Sequence, residues 1–189
     1  MTRRVAIAVA IALAAGPAWG HTFPPMRTVV AQVEPCELVV MIGYRPGTGE
    51  PTEALLARVA NSPKSRGLEA LRDVMTAYAV APITVAVDGT PLVPTSVRAK
   101  IGVEDGGARP IVVVLVTYAL PPRGALAIAS RDPRTTRISW QDRASGHVDL
   151  AQAPTQGRWY SGVASFLLTL GPSTGVSACA RTSSRPFSP

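Results

Sequence analysis

Apolar and polar residues alternate in short runs along most of the chain, and turn residues interrupt the runs about every 8–12 positions, the rhythm of an all-β domain. A period of two places every second side chain on one face of a strand, so an alternating run predicts a strand buried on one side. Segments 27–33 and 37–44 read as two strands, with Glu34-Pro35 marking the turn between them. The second is almost continuously apolar, which predicts a central position. Segment 83–87 leads into Asp88-Gly89, a dipeptide that accepts the positive φ angles of a type I′ hairpin. In 97–103, Val97, Ala99, Ile101 and Val103 fall on one face, with Arg98 and Lys100 on the other. Segment 111–120 is the strongest strand signal, stopped by Pro121-Pro122, and is expected to run through the middle of a sheet. Segments 125–130, 135–140, 147–151 and 160–170 complete the set.

The period changes between residues 51 and 80. Leu55, Leu56 and Val59 share one helical face after Pro51, and Asn61-Ser62-Pro63 ends that helix. Leu68, Leu71, Val74, Met75 and Tyr78 follow the spacing of a buried helical stripe over 68–80. Beyond Gly171 the chain becomes rich in Ser, Thr, Gly and Pro, which predicts a disordered tail over 172–189. Together these elements predict a mainly β domain over 21–171. Its architecture is an immunoglobulin-like antiparallel β-sandwich with a two-helix insertion at about 51–80.

The first twenty residues follow a different logic. Arg3 and Arg4 precede an apolar run over 5–15, and Ala18-Trp19-Gly20 gives a small-x-small cleavage site. The run is shorter than the ~20 residues a bilayer span needs. Residues 1–20 are therefore expected to be a signal peptide, leaving a 169-residue periplasmic or secreted chain that begins at His21. No later apolar stretch has the length of a membrane span.

Charge and cysteine content narrow the picture further. The formal net charge of +7 falls to +5 once Arg3 and Arg4 leave, and arginine supplies nearly all of it. The arginines are scattered and lack interleaved stacking aromatics, so no nucleic-acid interface is expected. Cys36 and Cys179 are the only cysteines; in an oxidising compartment they read as one disulfide, the alternative being two free thiols. No C-x-x-C or glycine-rich phosphate loop is present.

Two constellations carry candidate chemistry. The first is the pair of histidines, His21 and His147. An N-terminal histidine offers its amine and its ring Nδ1 as a chelate, a second imidazole completes a planar nitrogen set suited to Cu(II), and Asp149 adds a carboxylate. The plainer alternative is two ordinary surface histidines. The second constellation is an arginine–tryptophan surface of Arg134, Arg137, Trp140, Arg143, Arg158 and Trp159, residue types enriched where proteins bind partners. Its alternative is an Arg–Asp network pinning loops.

A leader, a mature N-terminal His21 and a small β-rich body resemble the periplasmic copper-resistance proteins. That resemblance implies Cu(II) held by an N-terminal histidine, an aspartate and a second histidine, here His21, Asp149 and His147. The His21-Thr22-Phe23-Pro24-Pro25 start and the β-rich body are also similar to extracytoplasmic domains preceding hydrogenase- or urease-accessory metal permeases. The expected function is a non-enzymatic binding or accessory module of the cell envelope, without a cofactor, whose partner is an envelope protein or a small ligand. A copper-binding protein using His21 and His147 is the second expectation, and a secreted hydrolase or oxidase the third.

Overall fold

The computed structural model describes residues 24–49, 64–103, 110–143 and 147–171. Ten strands and one helix follow in order: β1 Met26–Val33, β2 Glu37–Arg45, α1 Lys64–Val80, β3 Ile83–Val87, β4 Thr90–Pro91, β5 Pro94–Val103, β6 Pro110–Ala119, β7 Gly124–Ser130, β8 Thr136–Asp142, β9 Tyr160–Ser161 and β10 Ser165–Leu170. They form a six-stranded sheet in the order β5-β6-β2-β1-β8-β9 and a four-stranded sheet in the order β10-β7-β3-β4. Among the described residues, all pairings are antiparallel except β1 with β8, which is parallel.

Alternation sets the register of the larger sheet. In β1 the inward set is Arg27, Val29, Ala31 and Val33. These pair with Tyr44, Ile42, Val40 and Leu38 of β2, which in turn face Val112, Val114, Val116 and Tyr118 of β6. A slip by one residue would turn each of these sets to the opposite face, so burial fixes the pairing. Side chains of both sheets and of α1 join a single aliphatic core, with Trp140 the largest fully buried side chain.

The hairpin expected at Asp88-Gly89 is present: φ is 50° at Asp88 and 76° at Gly89, both positive as a type I′ turn demands. The Asp88 carboxylate also accepts a 2.8 Å hydrogen bond from the Ala125 amide, tying the turn to β7. The helix expected over 68–80 is present and begins at Lys64. It packs against β2, β5 and β6. Its buried stripe is Leu71, Met75 and Ala79, spaced by four, whereas Tyr78 is 45% exposed. The helix expected over 51–60 and the tail expected over 172–189 lie outside the described residues.

Three strand expectations need correction. Segment 160–170 is two strands in different sheets, because Gly162 at φ 72° turns the chain between Ser161 and Ser165. The apolar run that follows Gly162 hides this crossover from a pattern reading. Segment 147–151 contributes only an isolated bridge, Val148 to Leu170. β6 lies second from the sheet edge, and β5 outside it is an edge strand that leaves Val97 49% exposed. No helix among the described residues is long and apolar enough to cross a membrane.

Candidate functional site

Strand alternation puts a charged side chain, Arg27, at an inward position of β1, where it is 4% exposed. A buried guanidinium persists only where hydrogen bonds replace its water. Its Nε donates to the Ala79 carbonyl and its Nη2 to the Tyr78 carbonyl, both at 3.1 Å. These are end-of-helix carbonyls with no intrahelical donor, and the last turn of α1 has no basic residue of its own. Arg27 thus caps α1 from a neighbouring strand. Its guanidinium carbon stands 5.0 Å from the centroid of the Tyr44 ring, and Nη1 is 3.9 Å from Asp132 Oδ2. Thr135 Oγ1 donates to the same carboxylate oxygen at 2.7 Å. The Arg27 amide donates to the Thr135 carbonyl at 2.8 Å.

This knot joins the start of β1, the ends of β2 and α1, and the β7–β8 connection at one end of the molecule. Two cavities open there. One, of about 550 Å³, is walled by Pro25, Tyr44, Ala77, Tyr78 and Pro82, with Arg27 and Asp132 as its charged groups. The other, of about 420 Å³, is lined by Pro24, Pro25 and Pro46 together with Arg45, Arg134 and Arg137. Pro25 belongs to both linings. Among the described residues, the second lining contains three arginines and no aspartate or glutamate. Arg134 and Arg137 have no carboxylate within 4.0 Å among the described residues. Arg137 instead lies over the Trp159 ring, 5.3 Å from its centroid. Next to it Arg158 lies over Tyr160 at 5.6 Å, giving two arginine–aromatic stacks beside β9.

The predicted arginine–tryptophan surface is therefore assembled in part. Arg134 and Arg137 share the basic cleft, Trp159 stacks on Arg137, and Arg158 adjoins them. Trp140 does not belong to any surface: it is fully buried and its Nε1 donates to the Pro154 carbonyl at 3.0 Å. Arg143 follows the far end of β8, where its amide donates to the Val33 carbonyl. Six residues of strand, roughly 20 Å, separate that end from Thr136. Arg27, Tyr44 and Arg45 were not anticipated as site residues. An arginine in phase with Val29, Ala31 and Val33 is the signal that marks Arg27.

The histidines fare differently. His21 lies outside the described residues. His147 is fully buried, with neither ring nitrogen hydrogen-bonded. It sits at the far end of the sheets, where its carbonyl accepts from Gly171 and the next amide donates to Asp142 Oδ2. The Asp149 Oδ1 accepts from the Ala151 amide at 3.0 Å. The described chain begins at Pro24, beside the basic cleft at the opposite end. His147 and Asp149 thus lie at the end of the sheets opposite Pro24. Among the described residues, no group of three or more His, Cys, Asp or Glu is placed to hold a metal ion.

Cys36 lies in the β1–β2 turn, where its carbonyl accepts from Leu120. No cysteine among the described residues is free, and Cys179 lies outside them. Burial raises the Tyr118 hydroxyl above the usual tyrosine range, but Tyr118 pairs with Leu38 near that same turn, remote from the clefts. No protein-family model, curated relative or solved structure matches the chain.

Proposed function

We propose that this chain is an exported, non-enzymatic binding module of the cell envelope that takes an anionic ligand in the cleft of Arg45, Arg134 and Arg137. One observation carries this: among the described residues, Arg134 and Arg137 line a concave site with no acidic side chain, and no carboxylate stands within ion-pair distance of either. Arginine donors in a fixed fork suit carboxylate and phosphate oxygens. Prolines on the rim add stiff apolar walls, so the cleft loses little order when a ligand enters. Export rests on the leader pattern of residues 1–20, and a Cys36–Cys179 disulfide belongs to the same proposal. Two mostly antiparallel sheets around one core support an immunoglobulin-like plan.

Calorimetric titration with inorganic phosphate tests the ligand reading. The wild-type chain is expected to bind saturably and more weakly as salt rises. Replacing both Arg134 and Arg137 with glutamine should weaken binding at least tenfold, since a hydrogen bond to a charged group contributes about 1.5–3 kcal/mol. Both side chains are exposed, so the double variant should unfold at the wild-type temperature. Absence of saturable binding, or equal binding by the variant, contradicts the proposal.

A further inference from the structure

The chamber beside the basic cleft has a different character. Tyr44, Ala77, Tyr78 and Pro82 give it apolar walls, and its charged groups are engaged: Arg27 caps α1, and Asp132 accepts from Thr135. Tyr78 is 45% exposed there, although it lies in the helix that supplies Leu71, Met75 and Ala79 to the core. With Pro25 common to both linings, an apolar chamber of about 550 Å³ adjoins a cationic cleft of about 420 Å³. Each falls within the ~300–1,000 Å³ of small-molecule sites.

Building on the anion-binding reading, we propose that the ligand is an amphiphilic anion. It carries a phosphate or carboxylate head that meets Arg134 and Arg137, and an apolar body that lies in the chamber along Tyr44, Tyr78 and Pro82. A purely hydrophilic anion would use only the cleft and leave the chamber walls in water. A neutral apolar compound would leave the two arginines without a counter-charge. A molecule with both parts satisfies both surfaces at once, and Pro25 marks where head and body meet.

The test uses four probes below their aggregation concentrations: decyl phosphate, decanoate, inorganic phosphate and acetate. Burying one methylene favours binding by roughly fourfold. Three or more buried methylenes should therefore make each decyl compound bind well over tenfold more tightly than its short counterpart. The two decyl compounds together report which head group the cleft prefers. Ala77→Trp, on an exposed helical position lining the chamber, should remove that advantage while leaving inorganic phosphate affinity unchanged. Tyr78→Ala, which cannot overfill the chamber, should reduce the advantage by about fivefold or more. The Arg134→Gln/Arg137→Gln double variant should weaken all four probes. If decyl phosphate and inorganic phosphate bind within threefold of one another, the chamber serves another occupant and the amphiphile inference fails while the anion reading stands. If no probe binds, both fail.

Discussion

Replacing Arg27 with methionine is expected to destabilise the fold by about 3 kcal/mol, measured by urea denaturation, with no change in the slope of the transition. Methionine fills similar volume but supplies no donor. The carbonyls of Ala79 and Tyr78 then end the helix without the hydrogen bonds they now receive at 3.1 Å. A buried acceptor left without a donor costs about 1–3 kcal/mol, and the loss of a cation at a helix C-terminus adds to it. The stacking contact with Tyr44 is lost as well. Asp132 limits the damage, because its carboxylate is 49% exposed and can return to water. Arg27→Lys keeps the charge but not the planar fork that reaches two carbonyls, so it should recover roughly half of the loss. A loss below about 1 kcal/mol for the methionine variant would mean that the helix end does not depend on this contact.

Trp140→Ala is expected to cost more, about 4–5 kcal/mol, near the upper end for deleting a buried aromatic. Trp140 lies on β8 beside Ala31 of β1, has no exposed surface, and donates to the Pro154 carbonyl, which anchors the segment before β9. Its removal opens a cavity in the middle of the core and frees that segment. Trp140→Phe should cost about 1–2 kcal/mol, because most of the volume returns but the hydrogen bond does not. The comparison separates two roles the sequence left open. A tryptophan serving as a surface anchor would change stability by less than about 0.5 kcal/mol on truncation. A full-sized loss instead identifies a core residue.

Local pattern conveyed the strands well wherever one face is buried and the other wet. β3 follows its alternation closely and β1 in part, β2 takes the interior position its near-continuous apolar run predicts, and the Asp88-Gly89 turn follows from the φ values those residues tolerate. The helix was legible from Leu71 and Met75, but its orientation was not: Tyr78 fits the same stripe by spacing and is turned to the chamber by the packing of α1 on the larger sheet. The change of sheet at Gly162 was hidden because the apolar residues on either side do not record which layer they join. The parallel pairing of β1 with β8 is non-local, joining residues more than a hundred positions apart, and no local signal encodes it.

The candidate site divides along the same line. Arg134, Arg137, Arg158 and Trp159 stood out by residue type alone, and the structure groups them near β9 and the basic cleft. Trp140 and Arg143 have the same types and belong elsewhere, because alternation turns Trp140 inward and the length of β8 carries Arg143 to the far end. Composition cannot distinguish these cases. Arg27 and Tyr44 escaped notice because each reads as an ordinary strand residue until their strands are paired at that register.

The central claim is that an anion binds between Arg134 and Arg137. Side-chain Nε–Hε resonances of the arginines, followed by NMR during a titration with inorganic phosphate, test it most directly. Arg134 and Arg137 should move together and saturate at one affinity, while Arg143, at the opposite end of β8, stays in place. Equal, unsaturating shifts at Arg143 and at the two cleft arginines would contradict it.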